Sequence, residues 1–387
     1  MHEDSKNWQL HRRPLALIRK KHKRLLFFVL TALLMLGLLE AGSRLLLHVV
    51  PLWWRIPGNE ELGYIRTWLD RRTNPGNVYF QFDQHHPVRG WTLQPNLRNA
   101  PAFAECELNS NSRGLRGITE FTYERVPGTK RVLLVGDSFT FGEGVSDGET
   151  YADYLREALP GTEVLNFGTH GYGHDQILLY FQEEGVKYRP DAVVLGYVSM
   201  DIERNLYKFW VYAKPKYVLI DGELRLTNVP VPRPEHVVRD ARLRSGLFDL
   251  TAIFYRGYRW KQGVGVEEMS FDGRMTLARA LLRELVDTAR GIGARPVFLY
   301  IPAPYEVRES VELTYLPDEH CMNMCMEWDV DCLSLMPYFA EYPDEVLAQE
   351  IAGHWRGPVN RIIGQRLARF LETRILNPTV PRQPYQL

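Results

Sequence analysis

Residues 131–145 of the chain read RVLLVGDSFTFGEGV, and this stretch decides how the rest of the sequence is interpreted. It begins with a short apolar, partly β-branched run at 132–135, which is typical of a buried β-strand. The run leads directly into Gly-Asp-Ser at 136–138, and further glycines follow. Glycines permit a tight turn and a close approach of substrate to the backbone. We therefore predict a strand followed by a turn that exposes the Ser138 hydroxyl at the edge of the sheet.

Four further apolar runs follow the first, separated mostly by segments long enough for helices. The runs lie at residues 164–167, 192–198, 296–301 and, more weakly, 330–335. Apolar residues recur at helical spacing at 151–159, 176–187, 275–292 and 358–376. Strands that alternate with helices are typical of βαβ units around a buried parallel sheet. The sequence therefore predicts a doubly wound α/β domain, in which ligands bind beyond the carboxyl ends of the strands.

Two segments fall outside this alternation. Residues 51–130 are rich in Trp, Pro, Asn and Arg and show little periodicity, so they are interpreted as a loop-rich lead-in. The domain proper is predicted at 131–376. Within it, residues 205–271 have no clear place among the strands and helices, and we interpret them as an insertion near the site, either a lid or a substrate-binding flap.

The N-terminal part of the chain has the composition of a membrane anchor. Residues 1–24 form a predicted cytoplasmic segment, whose stretch 11–24 (HRRPLALIRKKHKR) contains no acid. The apolar run 25–39 follows, and residues up to 50 extend it to the length needed to cross a bilayer. The positive-inside rule places the basic residues in the cytoplasm and everything after position 50 outside.

The transmembrane segment 25–50 is interrupted near its end by Glu40, Arg44 and His48. Their four-residue spacing places them on one helix face, where Glu40 and Arg44 can pair, and we expect them at the outer interface. A cleaved signal peptide is the alternative interpretation, although no clear cleavage site follows the apolar run. Either interpretation predicts an exported domain. The formal net charge of zero does not indicate a nucleic-acid partner.

Four cysteines are compatible with export. Cys321, Cys325 and Cys332 lie close together beside His320, whereas Cys106 is distant in sequence. Such a cluster can bind zinc, but in an exported protein disulfides are the favoured prediction. The sequence does not determine how the cysteines pair.

The segment around Ser138 resembles the first signature block of the SGNH/GDSL hydrolase superfamily. The resemblance implies a three-layer, flavodoxin-like parallel sheet, with Ser138 as nucleophile and its backbone N–H as one donor of the oxyanion hole. The second apolar run ends in NFGTHGYG at 166–173, which resembles the second block. By its spacing from Asn166, Gly171 is the implied second donor. Each such donor stabilises the developing oxyanion by roughly 3 kcal/mol.

The third block departs from the family pattern. Met200 stands where an asparagine is expected as the third oxyanion donor. Because methionine cannot donate a hydrogen bond, this part of the hole is either missing or filled by another group, such as Ser199 or Asn205.

The last block of the family matches Gly353-His354-Trp355, so His354 is the implied catalytic base. The aspartate that normally precedes it by two or three residues is absent, since Ile351 and Ala352 occupy those positions. Glu350, an acid from 329–344, or a backbone carbonyl that orients the ring in a Ser-His dyad remain open alternatives.

The lead-in also resembles membrane-anchored bacterial members of the family, through HPVRGW at 86–91 and NSRGLRG at 111–117. The resemblance therefore implies a single-pass protein of the bacterial cell membrane, with an extracytoplasmic serine esterase domain that uses no cofactor or metal. Its substrate is predicted to be an ester or an O-acylated carbohydrate. One alternative is an O-acyltransferase that hands the acyl group to a cell-envelope polysaccharide. Another is a catalytically weakened relative that binds a glycan or a partner protein.

Overall fold

The computed structural model of the chain describes residues 12–72, 81–103, 106–263, 270–312 and 318–376. Its strands are β1 (Asp83–His86), β2 (Gly90–Leu93), β3 (Ala100–Pro101), β4 (Glu107–Leu108), β5 (Lys130–Gly136), β6 (Thr162–Gly168), β7 (Ala192–Tyr197), β8 (Lys216–Ile220), β9 (Glu223–Thr227), β10 (Arg295–Tyr300), β11 (Asp331–Ser334), β12 (Glu350–Ile351) and β13 (His354–Trp355).

Its α-helices are α1 (Arg12–Val49), α2 (Leu52–Arg55), α3 (Glu60–Arg72), α4 (Ser138–Phe141), α5 (Tyr151–Ala158), α6 (His174–Glu183), α7 (Asp201–Arg204), α8 (Pro234–Leu243), α9 (Gly246–Lys261), α10 (Phe271–Gly291), α11 (Pro304–Glu312), α12 (Glu319–Trp328), α13 (Met336–Glu341), α14 (Pro343–Leu347) and α15 (Gly357–Leu371). A short 3-10 helix spans Gly185–Tyr188, and a π-helical turn spans Glu372–Leu376.

Five strands form one parallel sheet in the order β11-β10-β7-β5-β6. Numbered along the chain from β5, this is the order 2-1-3-4-5 read from the other edge, which is the flavodoxin-like arrangement. Gly136 at the end of β5 lies opposite Gly168 of β6 and Gly196 of β7. All five apolar runs predicted as strands are strands of this sheet, so the predicted fold class is confirmed.

The two faces of the sheet are covered by different helices. Leu133 and Val135 of β5 point into an apolar cluster that includes residues of α6, α10 and α12. Val132 and Leu134 point to the other face, into a cluster shared with α5 and α15. All four side chains are at most 1% exposed. A strand that is buried on both faces has a continuous apolar sequence. This explains why apolar and polar residues do not alternate at 132–135.

Capping residues set the starts of the helices around the sheet. Thr150 accepts a hydrogen bond from the N–H of Asp153, and the Asp153 side chain accepts one from Thr150, which forms a capping box at α5. Ser270 accepts from the N–H of Gly273 at the start of α10. Proline stands in the first turn of α15, where its missing N–H has no helical partner to lose. These signals explain why the predicted helices begin close to where the structure has them.

The chain forms two compact units, and the sheet lies in the larger one, Tyr64–Val238 with Gly265–Leu387. The segment predicted as a loop-rich lead-in contains helix α3 and the hairpins β1–β2 and β3–β4 in addition to loops. The segment predicted as an insertion contains the β8–β9 hairpin in the larger unit, whereas Arg239–Val264 belongs to the smaller unit.

The smaller unit, Met1–Gly63 with Arg239–Val264, is held together at α1 and α9. The Glu40 carboxylate accepts hydrogen bonds from the backbone N–H groups of Gly246 and Leu247, at 2.8 and 3.0 Å, and thereby caps α9. Nε of Arg44 lies 2.6 Å from Glu40, which confirms the predicted pair. An apolar cluster of Leu47, Trp53, Leu62 and Ile253 completes the unit.

Helix α1 carries the predicted anchor. Its part Lys21–Val49 is long and apolar enough to cross a membrane, and its apolar side chains, such as Leu25 and Phe28, are mostly exposed. A membrane anchor and a signal sequence both have these properties. The side of the membrane on which the domain lies therefore stays a prediction.

The expected disulfides are absent, because no disulfide joins any of the four cysteines, all of which lie within the described residues. Cys321 and Cys325 lie one turn apart on α12, and Cys332 lies on β11. Their sulfurs all lie within 4.8 Å of one another, but no two of them form a disulfide, whose bond length is roughly 2.05 Å. The disulfide prediction for this cluster is therefore wrong in this structure.

Candidate active site

Ser138 lies at the carboxyl edge of the sheet, at the start of α4 and directly beyond β5. His354 lies 216 residues later, at the start of β13 and just before α15. The loops after β5 and β6 leave the sheet at the same level, because Gly136 and Gly168 are paired in register. A Cβ at Gly168 would lie 2.2 Å from the backbone nitrogen of Phe141, so only glycine permits this approach to α4.

The predicted nucleophile and base are in contact. Nε2 of His354 lies 2.8 Å from Oγ of Ser138. Nδ1 of the same ring lies 3.2 Å from the carbonyl oxygen of Ala352. A carbonyl only accepts hydrogen bonds, so Nδ1 carries the proton and Nε2 is left to accept from the serine hydroxyl. Ser138 is 2% exposed, and the ring of Phe139 packs against the imidazole with 4.8 Å between ring centroids.

A tight hairpin positions His354. Strands β12 and β13 pair antiparallel, with Ile351 opposite His354. The two residues of the turn, Ala352 and Gly353, have φ of +48° and +81°. Positive φ at both central residues is the mark of a type I′ turn, which matches the twist of the two strands. The same turn aims the Ala352 carbonyl at the histidine ring.

Two of the acids considered from the sequence as orienting groups pair with arginines. The Glu350 carboxylate pairs with Arg308. Asp331, within the 329–344 region, pairs with Arg295 at 2.7 Å. Of the open alternatives, the backbone carbonyl is the one that contacts His354 in the described part of the chain.

One acid near His354 was missed by sequence reasoning. Oε2 of Glu143 lies 3.9 Å from Nε2 of His354, and both side chains are about four-fifths or more buried, at 16% and 15% exposed. Glu143 lies in the same glycine-rich turn as Ser138, and this proximity in sequence was the signal that could have identified it. A carboxylate therefore lies beside the nitrogen of His354 that faces Ser138.

Asp137 anchors the turn that carries the serine. Its Oδ1 accepts a hydrogen bond from the N–H of Phe139 at 3.0 Å, which caps α4. Its Oδ2 accepts one from Nη1 of Arg204 at 2.9 Å and lies 3.3 Å from Oγ of Ser138. The carboxyl group is fully buried, so these contacts replace its hydration.

Arg204, which the sequence did not single out, joins the loops that follow three strands. Its Nη1 donates to Asp137 after β5, to the carbonyl oxygen of Tyr172 after β6 at 2.9 Å, and to Asp201 after β7 at 2.6 Å. The residue is 6% exposed. Burial, followed by the charge of Asp137, raises the pKa of Asp201 well above its ordinary value.

The two residues considered as substitutes for the missing asparagine are occupied elsewhere. The Ser199 hydroxyl donates to Glu306 at 2.6 Å, and Nδ2 of Asn205 lies 3.2 Å from Nδ1 of His174. The group beside Met200 is instead Arg204, whose Nη2 lies 3.0 Å from the methionine sulfur. A cationic donor therefore adjoins the position where the family pattern has an amide.

Gly171, the predicted second oxyanion donor, lies in the loop after β6 with φ of +70°. A Cβ there would lie 2.4 Å from Cγ2 of Val211, so both the backbone conformation and the space require glycine. Trp91 holds the neighbouring residues, because its Nε1 donates to the carbonyl oxygen of His170 at 3.1 Å and its own carbonyl accepts from the Tyr172 hydroxyl.

No model of a known family and no curated protein matches the sequence. Solved structures do align with the chain. A member of the lipolytic protein G-D-S-L family from Veillonella parvula is 10% identical, with 62% of this chain and 97% of that chain covered and a TM-score of 0.37. A catalytic mutant of an acetylxylan esterase from Geobacillus stearothermophilus is 15% identical, with 67% and 100% covered and a TM-score of 0.38.

The lipase/acylhydrolase from Enterococcus faecalis is 14% identical, with 66% of this chain and 100% of that chain covered and a TM-score of 0.36. The activities in these names are those of the named proteins. The flavodoxin-like strand order of this chain is established by its own hydrogen-bond pattern.

Proposed function

We propose that this protein is a serine esterase that cleaves acyl esters through an acyl-serine intermediate. The observation that carries the proposal is the 2.8 Å contact between Oγ of Ser138 and Nε2 of His354. A nucleophile within hydrogen-bond reach of a base, which is itself oriented by a third group, is the arrangement that activates serine for acyl transfer.

In the first half-reaction, Oγ of Ser138 attacks the ester carbonyl carbon while Nε2 of His354 takes the hydroxyl proton. The Ala352 carbonyl holds the ring through Nδ1, and Glu143 stabilises the imidazolium. The carbonyl oxygen becomes an oxyanion, which the N–H groups of Ser138 and Gly171 stabilise. The imidazolium then returns its proton to the departing alkoxide, and the acyl-serine ester remains.

In the second half-reaction, water gives its proton to Nε2 of His354 and attacks the acyl carbon. Collapse of the second oxyanion expels Oγ of Ser138, which recovers the proton from the ring. The carboxylic acid leaves, and the site is regenerated. The same residues serve both halves, as the reversal of acid and base roles requires.

Arg204 supports this chemistry as a positioning residue. Its contacts with Asp137 and the Tyr172 carbonyl keep the serine turn and the Gly171 loop at a set distance from each other. Since the oxyanion donors come from both of these loops, their separation decides whether the two N–H groups converge on one oxygen. The guanidinium also brings positive charge next to Met200, where the family pattern has a neutral donor.

Acyl transfer to a carbohydrate hydroxyl is the second candidate. It uses the same acyl-serine, with a sugar hydroxyl in place of water. The apolar helix α1 favours it, because an anchored domain on the extracytoplasmic side would face envelope polysaccharides. A third candidate, a weakened relative that only binds a glycan or partner, is favoured by Met200 and by the lack of an orienting aspartate. The Ser138–His354 contact argues against it.

The test is covalent labelling of the purified full chain in detergent with a fluorophosphonate probe, which phosphonylates an activated serine and releases fluoride. Wild type is expected to label, and Ser138→Ala and His354→Ala to lose the label. Ser112→Ala and His236→Ala, which change an exposed serine and an exposed histidine, are the matched controls and should label normally. A folded wild-type protein that takes no label would overturn the proposal.

Hydrolysis and transfer are then separated by product analysis. With p-nitrophenyl acetate as donor, an esterase releases acetate whether or not an oligosaccharide is present. A transferase produces an acetylated oligosaccharide, detected by mass spectrometry, at the expense of free acetate. Ser138→Ala should abolish both products.

A further inference from the structure

Three cysteine sulfurs meet in the core on the side of the sheet away from α5 and α15. Cys321 and Cys325 project from one face of α12, because residues four apart on a helix are neighbours. Cys332 reaches the same point from the edge strand β11. Their Sγ atoms lie within 4.8 Å of one another. The cysteines are 1%, 0% and 5% exposed.

The spacing of the three sulfurs suits a shared metal ion. A thiolate binds Zn²⁺ at about 2.3 Å, which places the sulfurs of one metal site roughly 4 Å apart. The three sulfurs all lie within 4.8 Å of one another, a range that includes this value. Thiolates are soft ligands that select Cu(I), Zn(II) and other thiophilic ions over hard cations.

Apolar side chains belong to the same core cluster as the three cysteines. The same core cluster contains Met324, Met336 and Trp328, each at most 7% exposed. His320, the histidine next to the cluster in sequence, is exposed, and its ring packs on Phe271 with 5.1 Å between centroids. Among the described residues, the group of metal-ligating side chains consists of the three cysteines.

Coordination number then decides between candidate ions. Structural Zn(II) sites take four protein ligands in almost every case, and this group supplies three. Cu(I) is satisfied by three sulfurs and needs no water, which suits a dry core. A Cu(I) or Zn(II) ion would also reduce the negative charge of three buried thiolates, which is costly when uncompensated.

We propose that Cys321, Cys325 and Cys332 form a binding site for one thiophilic metal ion, with Cu(I) as the ion best matched to the site. The site has a structural role, because it ties α12 to β11 at one edge of the sheet. Strand β5, which leads to Ser138, lies three strands away in the sheet. The ion is therefore separate from the acyl-transfer chemistry, and the inference does not depend on the proposed function.

The test uses the full chain, purified in detergent under reducing, oxygen-free conditions. It is loaded with Cu(I) or, separately, with Zn(II) or Cd(II). Bound metal is measured by mass spectrometry after removal of free ion, and thiolate ligation is followed by sulfur-to-metal charge-transfer absorption. Wild type is expected to retain one ion per chain and to keep Cu(I) against a chelator concentration that removes Zn(II). The bound ion should raise the unfolding temperature.

Cys321→Ser and Cys332→Ser are expected to lose the charge-transfer band and the metal-dependent rise in unfolding temperature. Cys106→Ser is the matched control, because it removes a cysteine that lies outside the cluster, and it should behave as wild type. Circular dichroism of the metal-free variants establishes that they fold. The inference is overturned if folded wild type retains no ion, if Cys332→Ser binds as well as wild type, or if thiol counting finds a disulfide between two of the three cysteines.

Discussion

Nδ1 of His354 lies 3.2 Å from the carbonyl oxygen of Ala352, so a backbone group holds the ring at the place where an aspartate is expected from the family pattern. This carbonyl belongs to the two-residue turn of the β12–β13 hairpin, in which Ala352 has a positive φ. The orientation of the base therefore depends on the conformation of one turn rather than on a second charged side chain.

The first prediction concerns this turn. Ala352→Asn should preserve activity, since asparagine is favoured at the first central position of a type I′ turn. Ala352→Val should lower the rate of fluorophosphonate labelling by about tenfold or more, because a β-branched residue resists positive φ and the carbonyl would move. Both rates are measured on folded protein. Equal rates for the two variants would show that the carbonyl does not orient the ring.

A second prediction concerns Glu143. Glu143→Gln removes the negative charge 3.9 Å from His354 and keeps the shape of the side chain. Loss of a partly buried charge interaction worth roughly 1 kcal/mol would slow acylation about fivefold, because the imidazolium that forms in the transition state loses its counter-charge. The burst phase of an activated ester measures this step. The neighbouring Glu149→Gln, which leaves that contact intact, is the control and should not slow acylation.

A third prediction tests Arg204 as a positioning residue. Arg204→Lys keeps the charge but cannot contact Asp137, Asp201 and the Tyr172 carbonyl with one forked group. We expect kcat to fall by about tenfold or more while KM changes little, because the oxyanion donors lose their convergence in the transition state. A purely structural role would instead lower the folded fraction and leave kcat per folded molecule unchanged. To separate the two, the concentration of active sites is measured by titration with the fluorophosphonate probe.

A fourth prediction concerns the buried pair of Lys214 and Asp175, whose side chains are both fully buried. Nζ of Lys214 also donates to the carbonyl oxygens of Arg204 and Pro215, at 3.2 and 3.1 Å. Lys214→Met should lower the free energy of unfolding by about 3–5 kcal/mol, because it leaves the Asp175 carboxyl group buried without its partner.

The control for this pair is a double variant, Lys214→Met with Asp175→Asn, measured by urea unfolding. It should be more stable than the single Lys214→Met variant, because the uncompensated carboxylate is gone. A double variant that is less stable than the single one would contradict the account of Asp175 as a charge stabilised by Lys214.

A fifth prediction concerns pH and the buried pair of His170 and Asp83, with 2.9 Å between Nε2 and Oδ2. Burial acts to lower the pKa of His170, but the charge and hydrogen bond of Asp83 outweigh it, and the pKa is raised above its ordinary value. A raised pKa in the folded state means that the pair stabilises the protein fully below the unfolded-state pKa of about 6.5. This contribution is lost as the pH rises through the folded-state value.

The measurement is the free energy of unfolding of wild type and of His170→Gln as a function of pH. The difference between them should be largest at acidic pH below about 6.5 and should shrink as the pH rises above it. His236→Gln, at an exposed histidine, should show no such trend. A difference that grows with rising pH would contradict the assignment.

Two features could be predicted from the sequence because their causes are local. The runs at 132–135 and 164–167 are apolar because both faces of a central parallel strand are buried, so they could be recognised as strands without knowledge of their neighbours. Ser138 could be chosen because the glycines that shape its turn lie beside it in the chain. The family resemblance implies His354 as the base, and the structure places its Nε2 2.8 Å from Oγ of Ser138.

The contacts that complete the site could not be predicted from the sequence, because they join residues that only the folded sheet brings together. Arg204 meets Asp137 and the Tyr172 carbonyl only when β5, β6 and β7 lie side by side, and nothing in the local pattern of an arginine on a short helix signals this. In the same way, local patterning determined the strands, the helices and the serine turn of this protein. Tertiary packing decided which backbone carbonyl, carboxylate and guanidinium surround the serine, because distance in space depends on the register of neighbouring strands and not on distance along the chain.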